Sequence, residues 1–251
     1  MMLSIITVAG ISSRFNKGIS EDEKALKCIY TADSPADTLL YRMTHKLSSS
    51  DRLIIVGGYK YDDLERYIND FLRKQIDSEI ILVRNDRYAD LASGYSLYLG
   101  LKEAFKYEPD EILFVEGDLD IDRASVNRVL TSDGNVCTYN HEPIYSDKSV
   151  VLYVDADGRI HYAFNSSHGL LQIDEPFRCI LNSGQMWKFT DMDALCNAND
   201  IFGKQYIDGT NLRIIQSYLD LVDRQSVSLI GLDRWTNCNT RTDYHKILQF
   251  V

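Results

Sequence analysis

Apolar residues along this chain follow two rhythms. Short, mostly apolar blocks occupy positions 3–8, 52–56, 79–83 and 111–115. Blocks of this kind, without polar alternation, predict strands covered on both faces. Between them apolar residues recur every three or four positions: Leu39, Leu40, Met43 and Leu47 within 38–47, then Leu64, Tyr67, Ile68 and Phe71 within 61–73. That spacing, found again over 95–105, predicts helices with one buried side. Strand, loop and helix in alternation predict an α/β fold, a mostly parallel sheet covered by helices with ligands at the carboxyl ends of its strands.

After about Asp133 the pattern changes. Residues 150–154 and 159–164 flank Asp155-Ala156-Asp157-Gly158, a hairpin turn by composition. Further strands at 177–181 and 226–229 bracket helical stretches at 191–197 and 211–221. No internal repeat, low-complexity tract or linker interrupts the chain, so a single domain is expected, its second half adding antiparallel strands and a lid.

Composition narrows the function classes. The 251 residues suffice for one large α/β domain, and 45% hydrophobic with 25% charged residues is ordinary for a soluble globular protein. With 37 acidic against 27 basic side chains the net charge is -10, which argues against a broad nucleic-acid footprint but not against one nucleotide held by local cations. Met1-Met2-Leu3-Ser4-Ile5 has no positive n-region, and its apolar run is too short for a secretion signal or membrane span. Cys28, Cys137, Cys179, Cys196 and Cys238 are scattered, with no C-x-x-C pair. They read as reduced thiols of a cytoplasmic protein.

Candidate chemistry begins where the first strand ends. Val8-Ala9-Gly10-Ile11-Ser12-Ser13-Arg14 turns at a glycine, which lets backbone N–H groups approach phosphate oxygens, while Arg14 and Lys24 could add the cationic charge a polyphosphate needs. The competing reading is an ordinary polar turn. Asp118, directly after the fourth apolar block, stands where Mg²⁺ would find a carboxylate beside substrate phosphates. Asp120 and Asp122 suit helix capping or solvent instead, Asp122 above all. Asn239 offers an amide oxygen that becomes a metal ligand only with a partner such as Asp118, and Thr240 with Asp243 has capping-pair spacing. Histidines 45, 141, 161, 168 and 245 show no metal-ligand spacing, His168 lying in a 166–169 loop.

Together these segments resemble the nucleotidyltransferase superfamily, most closely the bacterial phosphocholine cytidylyltransferases. Val8 to Phe15 with Lys24-Ala25-Leu26 is similar to the alanine-alanine-glycine signature and proline-lysine-x-leucine element of that superfamily. Glu116-Gly117-Asp118 matches its metal aspartate, and Asn237-Cys238-Asn239-Thr240-Arg241-Thr242-Asp243 its C-terminal metal element. Asn85-Asp86-Arg87-Tyr88, leading into Ser93-Gly94-Tyr95-Ser96-Leu97-Tyr98, resembles the cytidylyltransferase base-binding segment. Ser12 replaces the usual second glycine and Glu23 the proline before the lysine, so Lys27, and after it Lys17, are substitutes for Lys24.

The resemblance implies a Rossmann-like three-layer sandwich of the nucleotide-diphospho-sugar transferase type, with a mixed, mostly parallel sheet and a small antiparallel lobe. It implies a nucleotide-binding half at 1–132 and an acceptor half with the C-terminal metal element at 133–251. The implied reaction is Mg²⁺-dependent transfer from CTP to a small phosphorylated alcohol, amine or phosphonate, with pyrophosphate released; a homodimer is compatible with it. Arg14 would hold the β- and γ-phosphates and Lys24 the α-phosphate. Ala9, Gly10, Ser12 and Ser13 would supply loop contacts, Asn85, Ser93, Gly94 and Ser96 the base site, and Asp118 with Asn239 the metal. Asn182, Trp187, Tyr206 and Asp208 are candidates for lining the acceptor, with core packing the alternative for Trp187 and Tyr206. Competing functions are a sugar-1-phosphate nucleotidyltransferase, a glycosyltransferase using Asp118-Leu119-Asp120, and a non-catalytic nucleotide-binding regulator.

Overall fold

A computed structural model describes residues 1–163 and 171–250. The apolar blocks form β1 (Met2–Thr7), β2 (Arg52–Gly57), β3 (Glu79–Arg84) and β4 (Glu111–Glu116). They run parallel in the spatial order β4-β1-β2-β3. Thr7 pairs with Glu116 across β1 and β4, so the segments that follow both strands leave the sheet at one edge.

The double-sided apolar character of these strands is used in full. Leu53, Ile55, Leu113 and Val115 face one way, against α1 (Leu39–Lys46), α2 (Tyr61–Asp70) and, further along, α4 (Arg123–Leu130). Ile54, Val56, Ile112 and Phe114 face the other way, against α3 (Ser93–Ala104), α5 (Met192–Gln205) and α6 (Asn211–Leu221). Each such side chain removed from water contributes roughly 1.5–3 kcal/mol, and the two apolar faces hold three layers together. Helix starts follow capping chemistry: Thr38 accepts the Tyr41 N–H at 3.1 Å, Asp122 that of Ser125 at 2.8 Å, and Asp191 that of Ala194 at 2.9 Å.

The second half extends the same sheet. It contains β6 (Asn135–Asn140), the long β9 (Phe177–Phe189) and β10 (Val227–Gly231), giving the order β10-β6-β9-β4-β1-β2-β3. β9 is antiparallel to both β4 and β6, while β10 is parallel to β6, so the sheet is mixed but mostly parallel. The small antiparallel lobe is the hairpin of β7 (Val151–Asp155) and β8 (Ile160–Tyr162), paired to the first part of β9. Asp155 shapes its turn by accepting the N–H groups of Asp157 and Arg159, and Gly158 takes a φ of 85° there. The end of the strand expected to reach position 164, and the 166–169 loop with His168, lie outside the described residues.

Several lengths differ from the sequence expectation. β9 runs eight residues past position 181, because its polar stretch is satisfied from the neighbouring strand: Asn140 donates to the Ser183 carbonyl at 2.8 Å and Thr138 to that of Met186 at 2.7 Å. The helix expected at 191–197 continues to Gln205, and that expected at 61–73 ends at Asp70. A separate ribbon pairs β5 (Leu119–Ile121) with β11 (Trp235–Asn237), bringing the C-terminal segment and α7 (Arg241–Ile247) beside the end of β4. All five cysteines are free thiols, and among the described residues no helix is long and apolar enough to cross a membrane.

Candidate active site

The edge where β1 and β4 end carries a cavity of about 260 Å³. Its walls come from four segments: Val8, Ala9, Gly10 and Ser12 after β1; Lys27 and Cys28; Asn85, Tyr88 and Ser93 around the start of α3; and Glu116 to Asp118 after β4. Gly117 belongs there for a steric reason, since a Cβ on it would lie 2.2 Å from a Val8 methyl and 2.8 Å from the Thr7 carbonyl oxygen.

The loop after β1 is braced from within. Ser12 adopts a φ of 55°, a left-handed conformation usual for glycine. Its hydroxyl accepts the Lys27 backbone N–H at 3.2 Å, and its carbonyl accepts that of Asn16 at 3.0 Å. The Asn16 side chain then clasps Ala25 in both directions, at 2.8 and 3.0 Å. Asn16 was not among the residues expected from sequence; only the match of a buried amide to a backbone segment identifies it. Ser13 and Arg14 are exposed at the outer side of this loop, away from the cavity wall, and among the described residues the Arg14 guanidinium has no hydrogen-bond or ion-pair partner.

The clasp decides which lysine faces the cavity. Lys27 lines it and donates Nζ–H to Asp118 Oδ2 at 2.9 Å. Lys24 is turned away and pairs with Glu21, while Lys17 is exposed. Lys24, placed in the site by spacing, is therefore replaced there by Lys27. Cys28 beside it is buried, which pushes its thiol up to about 12 and leaves it protonated.

Asp118 is half-satisfied. Its Oδ1 is buried and has no hydrogen-bond partner among the described residues, and the same holds for Asn239 Oδ1 and Asn237 Oδ1. The Cys238 N–H donates to the Asp118 carbonyl at 2.8 Å, drawing this late segment against the end of β4. Asn239 itself is outside the cavity wall; its N–H and that of Thr240 go to Asp243, which completes the expected capping box of α7. Among the described residues no three His, Cys, Asp or Glu side chains cluster as a metal site. The donor set near Asp118 is one carboxylate with amide oxygens, hard ligands suited to Mg²⁺.

Glu116, missed from sequence as a site residue, faces the same cavity. Burial, reinforced by the Asp118 charge, pushes its carboxyl up to about 7, against the opposing pull of the Asn211 hydrogen bond and Lys27. Asp120 has another fate. It is 1% exposed and binds Lys46 at 2.6 Å, Arg42 at 3.3 Å and Arg234. With three cations on it, Asp120 is not a second metal carboxylate. Asp122 caps α4, as its position suggested.

The expected base residues divide. Asn85, Ser93 and Ser96 line the cavity, and Asn85 Nδ2 donates to Ser96 Oγ at 2.9 Å while Asn85 Oδ1 accepts the Arg87 N–H at 2.8 Å. Gly94 does not line it: a Cβ there would sit 2.5 Å from the Gly209 carbonyl and from the Phe202 ring, so its smallness serves packing. None of the four acceptor candidates lines this cavity. Trp187 is fully buried, stacked on Phe114 and hydrogen-bonded to Tyr162, so it has no face for a substrate and is corrected to a core residue. Asn182 is buried on β9, Tyr206 is half-buried beneath the Arg213 guanidinium, and Asp208 is exposed on the turn between α5 and α6.

Comparisons with known proteins give the fold a context. A family profile described as "Domain of unknown function (DUF6564)" matches residues 23–251. No curated protein matches the sequence. Among solved structures, the inositol-1-phosphate CTP transferase from T. maritima is similar over 100% of this chain and 98% of its own, with a TM-score of 0.68 and 17% identity. The CTP:phosphocholine cytidylyltransferase LicC from Streptococcus pneumoniae is similar over 99% and 98%, with a TM-score of 0.64 and 15% identity. A nucleotidyl transferase from Methanothermobacter is similar over 100% and 99%, at 0.63 and 18%. At these identities the likeness is one of fold, and the expected nucleotide-sugar-transferase architecture is present.

Proposed function

The chain belongs to the DUF6564 family, and for it we propose a nucleotidyltransferase activity: transfer of the cytidylyl group of CTP to a small phosphorylated alcohol, amine or phosphonate, with release of pyrophosphate. One observation carries the reading. The glycine turn, a lysine, an incompletely satisfied aspartate and the start of α3 meet around a single cavity at the carboxyl edge of a parallel sheet. The fold shared with two CTP transferases supports the same assignment.

The chemistry asks little of a general base, because a phosphate acceptor is already anionic. Positioning and neutralisation of charge then supply most of the acceleration. In this reading Ala9, Gly10 and Ser12 offer backbone groups to the triphosphate, and Arg14, unengaged at the loop's outer side, holds its β- and γ-phosphates. Lys27 leaves Asp118 for the α-phosphate when the nucleotide enters. The unpartnered Oδ1 atoms of Asp118 and Asn239 fit Mg²⁺, which when bound would offset negative charge on the two reacting phosphates. Residues 1–132 would hold the nucleotide and 133–251 the acceptor.

The Asn85 hydrogen bonds support cytosine as the base. The Asn85 oxygen is spent on Arg87 and one amide hydrogen on Ser96, so what Asn85 still offers is a donor, and the Ser96 hydroxyl hydrogen is a second. Adjacent donors match the neighbouring O2 and N3 acceptors of cytosine and disfavour uracil, which carries a proton at N3; guanine, with its adjacent O6 and N7 acceptors, is the base the nucleotide panel must separate from it. Incubation with Mg²⁺, each of CTP, UTP, ATP and GTP, and a panel of phospho-alcohols is expected to release pyrophosphate with CTP. Silence with every pair, together with hydrolysis of a nucleotide sugar, would overturn the assignment.

A further inference from the structure

Asn211 opens α6, ninety-five residues beyond Glu116 in sequence, yet it is 3% exposed and sits among cavity residues. Its Nδ2 donates to Glu116 Oε1 at 2.7 Å. Its Oδ1 accepts from the Ser93 hydroxyl and its backbone N–H donates to the same Ser93 oxygen, both at 3.3 Å. One residue later in α3, the Gly94 N–H donates to the Gly209 carbonyl at 3.2 Å. The first turns of α3 and α6 are thereby stitched to each other and to the tip of β4.

The stitching matters because α3 does not cap itself. Ala92 at its N-cap position has no side chain to offer the first N–H groups, and Ser93, which could help, is directed to Asn211. The start of α3 forms part of the cavity wall through Ala92, Ser93 and Ser96, and Glu116, at the tip of β4 beside the end of β1, forms another. Both walls are therefore referenced to one amide that does not itself line the cavity.

We propose that Asn211 is a positioning residue for the nucleotide site, fixing the first turn of α3 and the Glu116 carboxylate relative to each other. The proposal rests on the reading of this cavity as the triphosphate site. It makes the turn between α5 and α6, at 206–210, mechanically continuous with the base-binding helix. Displacement of that turn is transmitted to α3 through Asn211 and Gly94.

The test is CTP affinity, measured by titration calorimetry with Mg²⁺ on the full chain. Asn211→Ala removes a donor to a carboxylate and an acceptor from Ser93, and is expected to weaken CTP binding about tenfold. The KM for the phosphorylated acceptor should stay within about twofold, a split that general loss of folded protein would not give. Asn211→Asp, which keeps the acceptor for Ser93 but loses the donor, gives a second route that does not depend on the Ala variant folding. Its effect should be large in the wild-type background and absent when Glu116→Gln is already present, since glutamine can donate from the other side. Wild-type protein that binds no triphosphate would sink the site assignment and this proposal with it. Wild-type protein that binds CTP, with Asn211→Ala equal to it or with equal Asn211→Asp losses in both backgrounds, would overturn the positioning role alone.

Discussion

Asp118, just before β5, and Asp120, within it, stand two residues apart and meet opposite surroundings. On the side facing α1, Asp120 is enclosed by Lys46, Arg42 and Arg234, and Arg42 also reaches the Phe250 carbonyl at 2.7 Å. Burial alone would raise its carboxyl; the three cations more than offset that and hold it below the ordinary carboxylate range. On the cavity side, Asp118 has one lysine and a buried oxygen that no described residue binds. A completed set of partners makes Asp120 a joint between elements, whereas the incomplete set on Asp118 is what the proposed ligand site requires. Sequence ranks Asp118 above Asp120 as a ligand by its place at the strand end, but gives no sign of the three cations that enclose Asp120.

The comparison can be tested from its strongest side. Asp118→Asn should cost roughly 10²–10³-fold in pyrophosphate release while the melting temperature changes little, because the charge removed is half-buried and only half-satisfied. If the variant is equally active, the incomplete acid has no chemical task. Asp120→Asn should do the reverse, destabilising by about 3–5 kcal/mol in denaturant titrations because three cations lose their counter-charge. Its activity per folded molecule should stay close to wild type.

The same pair predicts a pH signature. Asp120 is held below its ordinary value of 3.8, so folding releases a proton that the unfolded chain would keep. The stabilisation is complete above that ordinary value and is lost as pH falls through the lower, folded one. Wild type and Asp120→Asn should converge in stability toward that acid limit; curves that remain parallel would place the stabilisation elsewhere.

Smaller effects sharpen the contrast. Lys27→Met should lower turnover about tenfold to a hundredfold with little change in melting, and Lys24→Met, whose partner Glu21 is exposed, should change it less than about twofold. A reversal of that order would restore the spacing-based choice of Lys24. Asp122→Ala loses the α4 cap, for about 1 kcal/mol of stability and near-normal activity.

How far the sequence reveals these features depends on how local their causes are. The four parallel strands and α6 were legible because burial on two faces, or on one helical side, leaves its mark in consecutive residues. β6 was not, since Asn135 and Asn140 at its ends make side-chain hydrogen bonds that look like loop chemistry without the partner strand. The glycine turn, Asp118 and the α7 cap were legible for the same local reason. The exchange of Lys24 for Lys27 was not, because it is set by the Asn16 clasp on Ala25 and the Ser12 bond to the Lys27 N–H, contacts that reach across nine and fifteen residues. For Trp187 the core reading, offered from sequence beside the acceptor one, is the one the structure bears out, since the Phe114 ring takes its aromatic face.

Ser12 has one more implication. A non-glycine residue in a left-handed conformation, fastened at its hydroxyl to one strand of the loop and at its carbonyl to another, commits this segment to its curvature during folding. The conformational entropy of the segment has been surrendered before any ligand arrives. Little remains to be ordered on capture, so association should be rapid and its free energy spent on contacts rather than on arranging the chain.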